Sequence, residues 1–143
     1  MRLWHYEIIQ FLPKSQLLAQ WRELNSIFVR KPKHILINYV YTYPKRDLFI
    51  YSGLVIGEMY FRGYNIRSLD NYNKYFKDIE KPVDFYIPFE DHHTDRYLLQ
   101  CFYNLQEKYD CGQKDFTEKQ YKELEQFVKK EINKNGKQHI PIR

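Results

Sequence analysis

The stretch that decides the fold is residues 13–32, PKSQLLAQWRELNSIFVRKP. Apolar side chains recur along it every three or four residues, at Leu17, Trp21, Leu24 and Phe28. This is the period of one buried face of an α-helix. Proline suits the first position of a helix and disfavours helical backbone just before it. The sequence therefore predicts a helix that begins near Pro13 and ends by about Arg30.

A second stripe of the same helix carries small and polar side chains. Its members are Gln16, Ala19, Glu23, Ser26 and Arg30. Because Ala19 is small, another segment can approach the helix there, which leaves Glu23 beside a gap with Arg22 on its flank. One interpretation is a solvated helix face with a local arginine–carboxylate contact, and the other is a functional carboxylate. The dipeptide alone leaves both open.

A second helix is predicted from Pro44 to about Gly63, a residue type that commonly caps helices. Its apolar stripe is Leu48, Tyr51, Val55 and Met59. Gly53 and Gly57 lie four residues apart within it. Glycine lowers helix stability, so the pair predicts a close approach by another backbone.

A third helix is predicted over residues 91–109, with a buried face of Tyr97, Leu98, Cys101, Phe102 and Leu105. Thr117 and Gln120 form a capping-box pattern that predicts the start of a fourth helix, which continues to Asn135 and Gly136. Phe116 and Tyr121 are placed for the hydrophobic staple of that helix. Residues 34–43 fit either a strand or a short buried helix, and residues 64–90 are largely irregular. The prediction is an all-α fold.

Length and composition set broad limits. The chain has 143 residues, which is typical of one compact domain, and 43% apolar residues argue against global disorder. No apolar run is long enough to cross a bilayer, and the opening MRLWHYEIIQF lacks the features of a signal peptide. Two cysteines make no disulfide framework. We therefore expect a soluble, cytoplasmic, single-domain protein without a membrane association.

The charge distribution is one-sided. The formal net charge is +5, and residues 1–67 hold 10 basic and 4 acidic side chains against 13 and 14 in residues 68–143. An AT-rich genome also favours lysine, tyrosine and asparagine, but codon bias does not explain why the excess lies in one half. A one-sided positive field predicts a polyanionic partner, with nucleic acid first and an acidic membrane surface second.

Four segments in order carry a family resemblance. They are QLLAQWREL (residues 16–24), Lys33-His34 with the aromatic-rich stretch after it, RGYNI (62–66) and DFYIPFE (84–90). Together they closely resemble the phage-type pyrimidine-dimer DNA glycosylases, the endonuclease V family, and the opening MRLWH resembles a bacterial and archaeal branch of it. The resemblance covers roughly residues 1–108. Residues from about 110 to 143 are predicted to add a C-terminal helix and tail to the single domain.

The resemblance implies a compact all-α fold in which the N-terminal segment packs between helices, with its α-amine beside Glu23. It also implies amine catalysis: the α-amine attacks the anomeric carbon at a damaged base, forms a Schiff base, and β-elimination cuts the strand. Because the bulk of Arg2 should block methionine removal, the amine is that of Met1. Glu23 would stabilise the imine and assist proton transfer, while Arg22 and Arg2 would contact DNA.

The resemblance also sets the expected partners. No metal or organic cofactor is required, and the partner is double-stranded damaged DNA, with no membrane and no obligatory protein partner. The expected location is the cytoplasm, in association with the nucleoid.

The chain departs from the family pattern at two DNA-contacting positions. Gln16 replaces a histidine and Ser26 replaces an arginine. Further basic side chains are the candidates for compensating DNA contacts: Arg30, Lys31 and Lys33. These departures leave the preferred lesion open.

Further candidates keep two readings each. His34 is either a polar-bonded core residue or faces DNA. Lys45 and Arg46 fit phosphate contacts or ordinary surface charge. The alternating Tyr39, Tyr41 and Tyr43 suit stacking on bases, although core packing is the expected role of at least two of them.

Two alternatives concern metal binding and function. His92, His93 and Asp95 hint at a metal, but a solvated helix start is the stronger interpretation, and Cys101 is expected in the core. The predicted function is a DNA glycosylase with abasic-site lyase activity. The alternatives are a nucleic-acid-binding protein of the same fold without glycosylase activity, and a lyase for abasic sites or another base lesion.

Overall fold

The computed structural model describes residues 1–134, which contain five α-helices and two 3-10 helices but no strand. The α-helices are α1 (Lys14–Arg30), α2 (Lys45–Phe61), α3 (Asp70–Tyr75), α4 (Asp95–Asp110) and α5 (Glu118–Lys134). The 3-10 helices are Tyr6–Phe11 and Asn38–Thr42. The all-α prediction is confirmed, and the ambiguous stretch 34–43 is helical. The predicted end of the fourth helix and the tail after it lie outside the described residues.

The core is built around α1, which packs on α2 and on α3, while α4 packs on α5. The 3-10 helix Tyr6–Phe11 joins these two groups because it contacts both α2 and α5. The predicted stripe of α1 faces inward: Leu17, Leu24 and Phe28 are buried, and Trp21 packs half-buried against the core. In the part of the chain that the structure describes, no helix is both long and apolar enough to span a membrane.

The start of α5 agrees with the capping pattern in the sequence. At the start of α5, the Gln120 N–H donates to Thr117 Oγ1 (3.1 Å) and the Thr117 N–H donates to Gln120 Oε1 (2.9 Å). The rings of Phe116 and Tyr121 meet at 6.0 Å. The capping box and the hydrophobic staple are therefore confirmed.

The end of α2 agrees with the C-cap predicted at Gly63. Gly63 has φ +80°, and the N–H groups of Gly63 and Tyr64 donate back to Tyr60 and Met59. This pattern is a Schellman cap, and the left-handed conformation explains the glycine.

Two predictions about the helices were wrong, and the first concerns the glycine pair of α2. Gly53 and Gly57 lie on the exposed side of α2, and no heavy atom outside their own stretch of helix comes within 4 Å of where a Cβ would stand. No backbone approaches them closely.

The region before α4 differs as well. The helix begins at Asp95, so His92 and His93 belong to the turn before it instead of to a solvated helix start. His93 is buried and His92 is half-buried. Burial lowers the pKa of both.

The N-terminal segment threads between three helices, as the fold prediction required. Leu3, Trp4 and His5 are buried. The Trp4 N–H donates to the side chain of Gln20 on α1 (2.8 Å), and the Trp4 carbonyl accepts from Tyr51 on α2 (2.6 Å). The carbonyl of Leu3 accepts a hydrogen bond from the hydroxyl of Tyr97 on α4. Because α1, α2 and α4 all hold the segment, the position of its first residues relative to α1 is fixed.

Candidate active site

The first residues of the chain meet the middle of α1 at Glu23. The backbone N–H of Arg2 donates to Glu23 Oε2 at 3.5 Å, and Gln20 Nε2 donates to the same oxygen at 3.2 Å. Glu23 is half-buried, whereas Met1 is 38% exposed. A carboxylate and the N-terminal backbone therefore share one edge of the fold, at a place that solvent can reach.

The pKa of Glu23 reflects its burial and the charged groups around it. Burial raises the pKa of the Glu23 carboxyl above its usual value. The hydrogen bond from the Arg2 N–H opposes this rise, as do the electrostatic effects of the N-terminal amine, Arg22 and His34. The N-terminal amine thus lies within electrostatic reach of Glu23. A carboxyl with a raised pKa within electrostatic reach of an amine is suited to proton transfer.

Gln20 connects these groups, and the sequence analysis missed it. Its side chain is fully buried and uses both ends of the amide. Gln20 Oε1 accepts from the Trp4 N–H (2.8 Å) and the Tyr51 hydroxyl (2.8 Å), and Nε2 donates to the Arg2 carbonyl (3.1 Å) and to Glu23. The available signal was a polar residue three positions after Leu17 on the apolar face of α1. A buried amide with four partners holds its neighbours in one arrangement.

The guanidinium of Arg2 turns inward. It lies 5.8 Å from the Trp4 ring and 5.7 Å from the Tyr97 ring, with Nη1 3.9 Å from the sulfur of Cys101. Cys101 is buried in the core, as expected. Arg2 also lines a cavity of about 660 Å³ that opens to solvent. The DNA contact that the resemblance implies for Arg2 stays a prediction, and this cavity is where the side chain meets solvent.

The remaining predicted site residues do not form one cluster. Several are exposed on or after α1: Arg22, Arg30, Lys31, Lys33 and His34. Of the predicted site residues, Arg2 bonds to Glu23 through its backbone N–H, and the N-terminal amine, Arg22 and His34 lie within electrostatic reach of that carboxylate.

Gln16 and Arg46 lie apart from that group. Gln16 exchanges two side-chain hydrogen bonds with Gln113 (3.0 and 2.7 Å) and so faces the turn before α5. The Arg46 guanidinium lies 5.8 Å from the Tyr86 ring.

Lysines and tyrosines gather at a second cavity of about 380 Å³. Its charged and aromatic lining is Lys31, Lys33, Tyr41, Tyr43, Lys45 and Tyr75. Lys45 Nζ sits 4.3 Å from the centre of the Tyr75 ring. Tyr39 and Tyr43 pack against the core, so the expected core role for two of the three alternating tyrosines is confirmed.

His93 and His92 make hydrogen-bonding and stacking contacts with residues of other elements. His93 Nδ1 accepts from the Tyr6 N–H (3.2 Å), which leaves the proton on Nε2 for the hydroxyl of Tyr39 (2.8 Å). His92 stacks on Tyr39 with ring centres 3.5 Å apart. Among residues 1–134, no three His, Cys, Asp or Glu side chains form a group that fits a metal ion.

Comparison with known proteins places the chain in a family. The family model described as pyrimidine dimer DNA glycosylase matches residues 1–72, which is half of the chain and contains Met1, Gln20 and Glu23. The chain belongs to the pyrimidine dimer DNA glycosylase family. Membership assigns it a DNA glycosylase role and implies that it binds damaged DNA. Neither a curated protein nor a solved structure matches the chain.

Proposed function

We propose that this protein excises pyrimidine dimers from duplex DNA and then cuts the strand as an abasic-site lyase, with the Met1 amine as nucleophile. The observation that carries the proposal is the contact between Glu23 and the N-terminal backbone. The carboxylate accepts the Arg2 N–H, and the charge of the N-terminal amine acts on its pKa. An amine and a carboxyl in this arrangement are the two groups that imine chemistry at a sugar requires.

The reaction begins at the sugar of the damaged nucleotide. The lone pair of the Met1 amine attacks the anomeric carbon, and the glycosidic bond breaks with its electrons leaving on the base, which takes up a proton. The sugar ring opens as its oxygen is protonated, and the amine loses its protons to form the imine. Glu23 is placed to pass these protons because it is only half-buried and has a raised pKa.

Strand cleavage follows from the imine. Glu23 takes a proton from the sugar carbon next to the imine, and the electrons of that C–H bond form a C=C bond. The neighbouring C–O bond breaks, and the 3′ phosphate leaves with those electrons. Water then hydrolyses the imine, which returns the free amine of Met1 and the aldehyde of the sugar. Every step uses the chain's own groups and water.

The exposed cations supply the expected DNA contacts. Arg22 lies next to Glu23, and Arg30, Lys31 and Lys33 follow at the end of α1. Phosphate contacts of this kind position a duplex without reading its sequence. The base lesion must be exposed to the amine, so we expect local unstacking or flipping of the duplex at that point. The same proposal has the protein act in the cytoplasm on the DNA of the nucleoid.

Borohydride trapping tests the nucleophile. Reduction of the imine should link the protein covalently to an abasic duplex, and peptide mapping should find the link at the Met1 nitrogen and not at Lys14. Intact mass must first show that Met1 is the N-terminal residue of the purified protein. Acetylation of the amine should abolish trapping and leave DNA binding intact.

One added residue before Met1 should have the same effect. It moves the amine by about 3.3–3.6 Å, whereas a misplacement of roughly 1 Å can cost about a hundredfold in rate. Trapping that survives both changes would point to a lysine and contradict the mechanism. Trapping on abasic DNA without any cleavage of dimer-containing DNA would favour the narrower function of an abasic-site lyase.

A further inference from the structure

The turn that follows α1 holds two aliphatic side chains in solvent. Ile35 is 88% exposed and Leu36 is 39% exposed, whereas the next residue, Ile37, is fully buried. Exposed aliphatic side chains are ordinary where they are scattered singly over a protein surface. Two neighbours at the tip of one turn, with no part in the core, instead indicate a surface that contacts another molecule.

The turn itself is held in one conformation. The N–H groups of Ile37 and Asn38 donate to the His34 carbonyl (2.9 and 2.8 Å), and the His34 N–H donates to Asn38 Oδ1 (2.7 Å). The Leu36 N–H donates to His34 Nδ1 (3.2 Å). Buried Ile37 anchors the turn to the core. Because the backbone is already ordered, a ligand that meets the tip does not have to offset the entropy of ordering it.

Only positive side chains flank the tip in the sequence. Between Glu23 and Asp47 there is no acidic residue, and there are five lysines and arginines. Lys31 and Lys33, the two nearest to the tip in the chain, are exposed. An apolar tip among cations matches a ligand that is anionic outside and apolar inside. Duplex DNA is such a ligand, because its phosphates face solvent and its bases stack within.

The tip also lies close to the proposed catalytic groups. Ile35 and Leu36 line the cavity of about 660 Å³ together with Arg2. The backbone N–H of Arg2 bonds to Glu23 at 3.5 Å. His34, which directly precedes Ile35, acts electrostatically on the same carboxyl. A duplex that reaches Glu23 therefore passes close to the tip.

Aliphatic side chains have a known use at such a place. Proteins that bind the minor groove insert Leu or Ile between base steps, which unstacks the bases and kinks the duplex. Unstacking is least costly where the base is damaged. A wedge of this kind enters readily at a lesion and poorly in an intact duplex. It therefore contributes to the discrimination of damaged DNA more than to general DNA affinity.

We propose that Ile35 and Leu36 form an apolar wedge that enters the base stack beside the lesion, while Lys31 and Lys33 contact the flanking phosphates. The inference rests on the proposed function, which supplies damaged duplex DNA as the ligand. A cationic turn with an apolar tip also matches an anionic lipid surface. The closeness of the tip to Glu23 favours DNA.

The test is a double variant, Ile35→Ser with Leu36→Ser, in equilibrium binding to two duplexes of one sequence. One duplex is intact, and the other carries a tetrahydrofuran analogue of an abasic site, which cannot form an imine. The matched control is Val83→Ser with Ile87→Ser, at positions that are 98% and 42% exposed. The rescue variant, Ile35→Leu with Leu36→Ile, keeps the tip apolar.

We expect the preference of the serine variant for the analogue duplex to fall about tenfold, of the order that one buried aliphatic side chain contributes. Its Kd for the intact duplex should change by less than about twofold, because phosphate contacts dominate non-specific binding. The control and the rescue variant should both keep the wild-type preference. Fluorescence anisotropy at one fixed salt concentration measures all four proteins.

The remaining outcomes separate this inference from the function beneath it. An unchanged preference in the serine variant overturns the wedge, and so does an equal loss of affinity for both duplexes. Vesicles of phosphatidylglycerol test the lipid surface: if they bind the wild type but not the serine variant, and the DNA preference is unchanged, the tip contacts membrane instead. If the wild type prefers the analogue duplex but cuts neither dimer-containing nor abasic DNA, the proposed function fails while the wedge stands.

Discussion

Glu23 is held by two donors, the Arg2 N–H and Gln20 Nε2, while burial raises its pKa. Glu23→Gln keeps the size of the side chain and removes the charge and the base. We expect strand cleavage to fall by about 10²–10⁴, the usual contribution of a general acid–base. DNA affinity should persist, and borohydride trapping should fall less than cleavage does, because the amine still attacks while the proton transfers that form the imine become slower. Gel cleavage and trapping assays measure both, with Glu123→Gln on exposed α5 as the control. If Glu23→Gln cleaves at the wild-type rate, Glu23 has no catalytic role and makes only a surface contact.

Gln20 acts on the reaction as a positioning residue, through Glu23 and the backbone of residues 2–4. Gln20→Glu keeps the acceptors for Trp4 and Tyr51 but places a second carboxylate about where Nε2 stands, 3.2 Å from Glu23. Like charges at this distance raise the pKa of at least one carboxyl. The acidic limb of the pH–rate profile should therefore move to higher pH, and Gln126→Glu on exposed α5 should leave it in place. A lower rate with an unmoved limb would indicate a purely structural role.

The sequence predicted Glu23 but missed the residue that holds it. Glu23 was recognisable because family resemblance attaches a role to a residue type at one position. The role of Gln20 depends on the tertiary structure, because its hydrogen-bond partners Arg2, Trp4 and Tyr51 are far from it in the chain. The inward turn of the Arg2 guanidinium was equally unpredictable, because the Trp4 and Tyr97 rings that receive it come from two separate elements.

The contact between the 3-10 helix Tyr6–Phe11 and α5 contains two carboxyls. Burial, and then the charge of Glu131 and a hydrogen bond with it, raise the pKa of Glu7 to about 7. A raised pKa means that the folded state holds the proton more tightly than the unfolded chain. Its stabilising contribution is therefore complete below about pH 4.5 and is lost as the pH rises through about 7.

Replacement of the carboxyl should remove this pH dependence. We expect Glu7→Gln to be more stable than the wild type at pH 8 by about 1–2 kcal/mol, after allowance for partial exposure, and little changed at pH 5. Thermal unfolding at both pH values, with the exposed Glu80→Gln as control, measures the difference. An equal shift in melting temperature at the two pH values would contradict the proposed coupling between Tyr6–Phe11 and α5.

Helices were predictable where the sequence contains an apolar period or a capping pattern. The α1 stripe, the Gly63 cap and the Thr117–Gln120 box needed only residues within a few positions of one another. The 3-10 helix Tyr6–Phe11 is too short to show a period, and it forms because Ile8 and Ile9 are buried where it meets its neighbours. The start of α4 was placed too early because the local signal, an N-cap at Thr94 whose side chain accepts from the Tyr97 N–H, was overlooked. His92 stacks on Tyr39 before that cap, and His93 hydrogen-bonds to Tyr6 and Tyr39.

At the scale of the whole molecule, the excess of positive charge lies in residues 1–67, together with the groups proposed for catalysis. The second half is near neutral, and it contributes α4 and α5. The family match over residues 1–72 follows the same division. DNA is therefore expected to approach over the end of α1 and the segment after it, and not over α5.

Charge reversal distinguishes the two surfaces. The triple variant Arg30→Glu, Lys31→Glu and Lys33→Glu changes three exposed cations next to the proposed site. The control triple, Lys108→Glu, Lys119→Glu and Lys130→Glu, makes the same change in net charge on α4 and α5. Because each neutralised phosphate releases counterions, the slope of log affinity against log salt should fall by about 0.9 for every phosphate that the variant no longer neutralises. We expect the first triple to weaken binding to every duplex and flatten this slope, and the control to change both far less. Equal weakening by the two triples, measured by fluorescence anisotropy over a salt series, would mean that net charge alone drives binding and that no DNA surface is concentrated at the end of α1.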